Sequence, residues 1–387
     1  MKSLIFGYGQ TGKSFENYLK NKNLSFDIYD DDKSKLSEVH QEKDITPSFS
    51  NLKDYQYIYI SPGVKLENYL TKEEISNLNL KSDLDIFFLE HNSFKIGITG
   101  TNGKSTLVHL LKQALNHSSS AIALGNIGNP VLENLNHQNK YSVIEVSSYQ
   151  LDKMENNLFD LSVITNIEPD HIKFHGTFQK YKEAKLKICR DHIKTIFCEG
   201  HDYENIAMRI AQDLEPNSSY ENLRFSLLPH RLEEFSGRFI DDSKSTNSSS
   251  LRHALSKLKF SGVLIMCGDP DKECLSEINI EGPNRVYIFG KHRKNLVKIV
   301  KHHNIKDFAT LDEVLGDLKN LNDSSKILFS PGNPSGKDFK NFSERGQHFK
   351  NKVLEYLSNN KINIQHSNFS ILRNLSSYYI NKNRFID

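Results

Sequence analysis

Nine short apolar runs punctuate the chain, at residues 4–6, 26–29, 55–60, 95–99, 143–146, 161–165, 263–266, 286–289 and 327–329, with stretches long enough for helices between them. This alternation predicts parallel α/β sheets, because neighbouring parallel strands need a crossover that is usually helical. The clearest helix follows residue 104, where Leu107, Leu110, Leu111, Ala114 and Leu115 recur at helical spacing. Several runs end directly in Gly, Asn, Asp or Ser. Open α/β sheets hold their ligands beyond the carboxyl ends of strands, so function is expected at those turns.

The pattern predicts three domains, at 1–93, 94–227 and 228–387, with an Asn- and Ser-rich tail from about residue 357. Charged residues make up 25% and hydrophobic ones 37%, which suits a globular chain and excludes a disordered or fibrous one. Fifty Lys plus Arg against forty-eight Asp plus Glu leave a net charge of +2. That is too little for a broad field toward nucleic acid or an anionic membrane, so neither partner is expected and any phosphate site must be local. Cys189, Cys198, Cys267 and Cys274 form no Cys-x-x-Cys, and no His-Glu-x-x-His occurs, so neither disulfides nor zinc are expected. The N-terminus meets Gly7 before a signal-peptide core could form, and no run of 18 apolar residues exists. A cytoplasmic protein is expected.

Two glycine-rich turns carry the chemistry. Gly100-Thr101-Asn102-Gly103-Lys104-Ser105-Thr106 lies between a strand and a helix. Its backbone N–H groups and the helix dipole would cradle an anion, Lys104 would reach the β- and γ-phosphates, and Ser105 would ligate Mg²⁺. The ordinary P-loop has Gly where this chain has Ile98. Gly7-Tyr8-Gly9-Gln10-Thr11-Gly12 also joins a strand to a helix, and Asp30 ends the next strand, which formally satisfies a dinucleotide fingerprint. The same turn can hold any nucleoside diphosphate, with N–H groups of Gly9, Gln10 and Thr11 on the pyrophosphate and Asp30 on the ribose or base. A second nucleotide site at Lys104 makes a dehydrogenase awkward. Glu145, at a strand end, can hold Mg²⁺, a hard ion that prefers oxygen ligands.

Gly-Thr-Asn-Gly-Lys-Ser resembles the loop of the Mur ligase and folylpolyglutamate synthase superfamily, and further motifs follow in the same order over residues 4 to about 356. Glu145-Val146-Ser147-Ser148-Tyr149-Gln150-Leu151 resembles a family metal segment, and Asn166-Ile167-Glu168-Pro169-Asp170-His171 one whose His contacts a second Mg²⁺ and the acyl-phosphate region. Tyr181-Lys182-Glu183-Ala184-Lys185-Leu186 resembles the segment whose lysine becomes a carbamate, so the resemblance implies that Lys185 is a carbamylated metal ligand. It further implies substrate contacts at Ser61, Gly63, Asn126 and His171, and an adenine contact at Asn205.

In the last third, Leu228-Pro229-His230-Arg231 is similar to the family hinge, with Arg231 on ATP phosphates. Asp241-Asp242-Ser243-Lys244-Ser245-Thr246-Asn247 resembles the Asp-Ser-Lys-x-Thr-Asn of the D-glutamate-adding branch, with Asp242 toward ATP and Lys244 and Thr246 toward acceptor and phosphate. Lys272, Ser335 and Phe339 match glutamate-binding positions. The resemblance implies a Rossmann-like UDP-binding domain, a P-loop-type ATPase domain and a Rossmann-like C-terminal domain. The implied reaction is ATP- and Mg²⁺-dependent addition of D-glutamate to UDP-N-acetylmuramoyl-L-alanine by a monomer, with catalytic roles for Lys104, His171, Lys185 and Lys244. The central domain is shortened, because only fifteen residues separate Lys185 from His201. Alternatives are another acceptor within the family and an inactive nucleotide-binding scaffold.

Overall fold

The computed structural model describes residues 2–37, 45–191, 193–226, 228–270, 277–319 and 325–359. Lys272, Cys274 and the tail beyond residue 359 lie outside them. Two compact units result, Met1–Ser226 and Leu227–Asp387.

The first unit contains two sheets. β1 (Ser3–Phe6), β2 (Phe26–Tyr29), β3 (Ile58–Ile60) and β4 (Leu80–Lys81) pair in parallel in the order β2-β1-β3-β4. β3 starts later than the apolar run at 55 predicts: Tyr55 is in a turn that closes on Leu52, and its hydroxyl donates to Asp27 at 3.0 Å. The second sheet joins β5 (Phe94–Thr99), β6 (Ala121–Gly125), β7 (Tyr141–Glu145), β8 (Leu161–Ile164) and β9 (Lys194–Phe197) in the order β6-β7-β5-β8-β9, again all parallel. Its central strands are buried on both faces and carry apolar residues at most positions. Among the described residues this is the sheet of the central region, and the short segment after Lys185 contributes its edge strand β9, where Phe197 is 59% exposed.

Helix α1 (Gln10–Asn21) leaves β1, and α2 (Asp83–Glu90) leads toward β5. α3 (Lys104–Ser118) follows β5 and buries Leu107, Leu110, Leu111, Ala114 and Leu115 against Ile206 and Ile210 of a later helix, Tyr203–Leu214. The five leucine and alanine positions that share one face in the sequence therefore share one core.

The second unit carries β10 (Glu233–Phe235), β11 (Phe239–Asp241), β12 (Val263–Met266), β14 (Arg285–Phe289), β16 (Ile305–Phe308) and β17 (Ile327–Phe329) in the order β10-β11-β17-β12-β14-β16. Of these pairings only β10–β11 is antiparallel. The short strands β13 (Ile278–Asn279) and β15 (Val300–Lys301) make a separate pair. Phe239, Ile265 and Phe329 face Phe349 on one side of the larger sheet, and Leu264, Ile288 and Leu328 face Leu251 on the other. The last helix, Phe342–Asn359, runs slightly past the point at which the sequence suggests a tail.

Candidate active site

Two sheet ends in the first unit open on a single cavity of about 800 Å³. The first sheet brings Gly9, Gln10, Thr11, Asp30, Ser61 and Gly63 to it, and the second brings Lys104, Asn126, His171 and Lys185. The turn after β1 depends on its glycines. A Cβ on Gly12 would lie 2.2 Å from the carbonyl oxygen of Gly7, and Gly7 itself has φ +90°. Ser61 Oγ donates to that same carbonyl at 2.6 Å. Asp30 accepts from the Tyr8 N–H at 2.6 Å, from Lys35 at 3.0 Å and from the Asp32 N–H at 2.9 Å. Burial raises its carboxyl pKa, but these donors outweigh burial and hold it below the ordinary value.

The second glycine loop is clamped by the segment that follows β8. Thr101 N–H donates to Asn166 O at 2.9 Å, and Asn102 N–H to Asn166 Oδ1 at 3.0 Å. Thr165 Oγ1 donates to Asn102 O at 2.6 Å, and the Glu168 N–H to Thr101 Oγ1 at 2.9 Å. Gly103 caps α3 with φ +82° and makes no side-chain cap hydrogen bond; the N-terminus of such a fifteen-residue helix points backbone N–H groups toward an anion. Lys104 Nζ folds back onto the carbonyls of Gly100 and Thr101, each at 2.8 Å. Ser105 and Thr106 are half-buried at the helix start.

Lys185 Nζ also donates to Gly100 O, at 2.6 Å. The residue is 2% exposed. Burial, reinforced by the Lys104 charge, brings its pKa down to about 6 against the opposing pull of Asp170 and Glu145. Near neutral pH this lysine is therefore largely an uncharged amine, the form that can act as a nucleophile. His171, in the left-handed region at φ 51°, has its pKa drawn below the ordinary histidine value by desolvation at the cavity wall, with Asp170 opposing and the Lys104 charge pushing the same way. Glu145 is 3% exposed at the end of β7. Its Oε1 accepts from Asn126 Nδ2 at 3.2 Å, while its buried Oε2 has no hydrogen-bond partner. An orphaned buried carboxylate oxygen within electrostatic reach of the Lys185 amine fits a divalent cation. Glu145→Gln is expected to raise the Mg²⁺ concentration for half-maximal activity by at least about tenfold, as a Mg²⁺ titration would measure; an unchanged titration would remove Glu145 from the metal site.

The family description "Mur ligase middle domain" matches residues 98–250. The UDP-N-acetylmuramoylalanine--D-glutamate ligase of Buchnera aphidicola subsp. Schizaphis graminum is 29% identical over 428 aligned positions, covering 90% of this chain and 96% of that protein. The protein of the same name from Thermosipho africanus is 28% identical, with coverages of 92% and 99%. The middle of this chain matches the Mur ligase family, and the chain over most of its length is similar to ligases of that family. Solved structures agree at the level of the fold. The MurF ligase of Thermotoga maritima, in complex with ADP, superposes with TM-score 0.54 at 13% identity over 79% of this chain and 90% of that one. A pseudomurein peptide ligase type C from Methanothermus fervidus gives 0.52 at 16% identity, over 92% and 99%.

The second unit holds Arg231, Asp242, Lys244, Thr246, Ser335 and Phe339. Arg231 sits between two left-handed residues, His230 at φ 61° and Leu232 at φ 48°. His230 Nδ1 is 2.6 Å from Asp241 Oδ2, and the Leu232 N–H donates to Asp242 Oδ1 at 3.2 Å. Asp242 is buried, its other oxygen accepts from Ser330 Oγ at 2.7 Å, and burial pushes its pKa up to about 7. Lys244 Nζ lies 3.8 Å above the Phe342 ring. Thr246 is half-buried, Ser335 is buried, and Phe339 packs on His348. Arg345 is 0% exposed and ties the two motif loops together, donating to Ser243 O at 2.8 Å and Asn333 O at 2.9 Å. Asn205 is exposed on the helix Tyr203–Leu214, outside the cavity lining.

Sequence reasoning did not single out several lining residues of the cavity. Gln150 lay within a quoted motif, and its Nε2 donates to Asp83 Oδ2 at 3.1 Å. Asp83 itself, fully buried and pushed up to about 6 by that burial, had no signal beyond the Ser82 cap of α2. Outside the lining, His175 meets the lining residue Ser148 at Oγ over 3.0 Å, and it could have been found as the second histidine of His171-x-x-x-His175.

Proposed function

We propose that this chain joins D-glutamate to UDP-N-acetylmuramoyl-L-alanine at the expense of ATP, a step of peptidoglycan precursor synthesis. The observation that carries the reading is the shared cavity: a nucleoside diphosphate turn at Gly9–Thr11 and a triphosphate lysine at Lys104 face one space, with His171 and Lys185 in the same lining. A substrate held by its UDP end can extend its carboxylate toward the γ-phosphate of ATP.

A carboxylate is a poor electrophile. Its oxygen attacks the γ-phosphorus, the bond to ADP breaks, and an acyl phosphate forms. The amine of D-glutamate then attacks the acyl carbon, loses a proton, and expels phosphate. Lys104 and Arg231 would balance charge on the transferring phosphoryl group. His171 would donate a hydrogen bond to the substrate carboxylate region. Mg²⁺ ions, held by Ser105, Glu145, His171 and a carbamylated Lys185, would supply positive charge to the phosphate oxygens. The neutral amine of Lys185 supports that carbamate, because N–C bond formation with CO₂ needs an unprotonated nitrogen. In the second unit Lys244, Thr246, Ser335, Phe339 and Lys272 would receive D-glutamate, with Asp242 and Asn205 toward the ATP nucleoside.

The remaining expectations join this reading. The two sheets of the first unit correspond to a UDP-binding and an ATP-binding domain, and the chain works as a cytoplasmic monomer. Among the described residues no helix is long and apolar enough to cross a membrane.

Phosphate release from ATP with Mg²⁺ and UDP-N-acetylmuramoyl-L-alanine tests the function. Release should depend on D-glutamate and be absent with L-glutamate, L-alanine or L-lysine. Turnover with one of the others would change the acceptor, and none with any acceptor would leave a nucleotide-binding scaffold.

A further inference from the structure

Two lysines of the cavity, Lys35 and Lys65, are given no task by the motifs or the resemblance, and Lys35 is paired with Asp30. Lys65 follows Val64, whose Cγ2 packs so close to Gly7 that a Cβ there would approach it to 2.7 Å. It therefore stands beside the turn that precedes α1, and it lines the same cavity. Its Nζ donates to Lys173 O at 3.3 Å and lies 4.7 Å from the centroid of the Phe174 ring. Both contacts are with uncharged groups, and no carboxylate among the described residues pairs with it.

The other cations of the cavity are engaged differently. Lys35 is 3.0 Å from the Asp30 carboxylate, and Lys104 and Lys185 converge on Gly100 O at the far glycine loop. Around the first turn the carboxylates Asp30, Asp31 and Asp32 also line the space. A diphosphate entering there meets three like charges, and backbone N–H dipoles alone must overcome them unless a full positive charge is available. Lys65 is half-buried on a flexible stem with three donors, and a carbonyl contact at 3.3 Å is weaker than one to a phosphate oxygen.

We propose that Lys65 is a substrate-binding residue whose ammonium leaves the Lys173 carbonyl to take a diphosphate oxygen of the nucleotide-linked substrate. The proposal rests on the reading that this cavity takes a UDP-linked substrate. It also gives the residue a second effect: Lys173 belongs to the short helix directly after His171, so the departing ammonium releases a tether on that segment when substrate arrives.

Calorimetric titration of the full chain with UDP, and separately with ATP and Mg²⁺, tests it in Lys65→Met and Lys65→Arg. The Met variant should bind UDP on the order of tenfold more weakly than wild type, the worth of one charge-assisted contact, with ATP affinity unchanged. The Arg variant should recover most of the loss, because charge rather than shape is at issue. In turnover, KM for the UDP-linked substrate should rise by a similar factor with kcat within about twofold. Equal UDP affinity in Lys65→Met and wild type, or an equal loss of UDP and ATP binding, would overturn the proposal. Failure of the wild-type chain to bind UDP would instead remove the reading on which it rests.

Discussion

Lys185→Met is expected to cut D-glutamate-dependent phosphate release by about a thousandfold while the protein folds as before or better. Methionine nearly keeps the volume of the buried stem and removes the amine, so the core stays filled and no desolvated ammonium remains. The stability half of the result has a pH signature. Between about pH 6 and the ordinary lysine value of 10.5, the unfolded chain binds a proton on this nitrogen that the folded chain does not. The wild-type protein therefore gains stability as pH rises through that window and carries the full penalty below it. Thermal unfolding of the variant should show a weaker rise across the same range. Activity within tenfold of wild type would mean that Lys185 serves the fold rather than the reaction. Carbon-13 NMR of wild-type protein in labelled bicarbonate should show a carbamate signal that the variant lacks.

Gly100→Ala is the second large expected effect. Gly100 has φ +151°, and a Cβ there would lie 1.8 Å from Thr165 Oγ1 and 3.1 Å from the backbone of Asn166. Those are the atoms that clamp the phosphate loop, so the added methyl must displace the clamp itself. Strain and overpacking together should cost on the order of 3 kcal/mol in chemical denaturation. Because Gly100 O also receives Lys104 and Lys185, ATP turnover should fall further than stability does, by about a hundredfold in protein that remains folded. A variant with wild-type turnover would show that the loop geometry is not required.

Much of this architecture was legible because strand burial and motif position coincide. The apolar runs at 143–146 and 263–266 are strands buried on both faces, and periodicity reports such segments directly. β6, by contrast, is Ala-Ile-Ala-Leu-Gly, poor in β-branched residues, and it is a strand because β7 offers it a partner. β9 is half-exposed Lys-Thr-Ile-Phe at a sheet edge, too polar to stand out. At the site, residues fixed by loop chemistry, such as Lys104 and Glu145, could be read from the motifs around them. Asp83 and Lys65 matter through neighbours 67 and 108 residues away, Gln150 and Lys173, and no local pattern encodes such a distance. The segment holding Lys272 lies outside the described residues, so its part in the glutamate site stays with the proposal.

The oxygen of Gly100 accepts from two lysine side chains, the ammonium of Lys104 and the amine of Lys185, and a carbonyl has two lone pairs, so its accepting capacity is full. Lys104 is also the nearby charge that most depresses the pKa of Lys185. When Lys104 turns to a triphosphate, its charge is neutralised, and the proton affinity of Lys185 must rise by linkage. If Lys185 takes up CO₂ as proposed, nucleotide and CO₂ compete in effect for the state of one nitrogen. On the proposed carbamate reading, carbon dioxide would load most readily before nucleotide binds, and protein saturated with ATP before exposure to bicarbonate should show a lag in its progress curve.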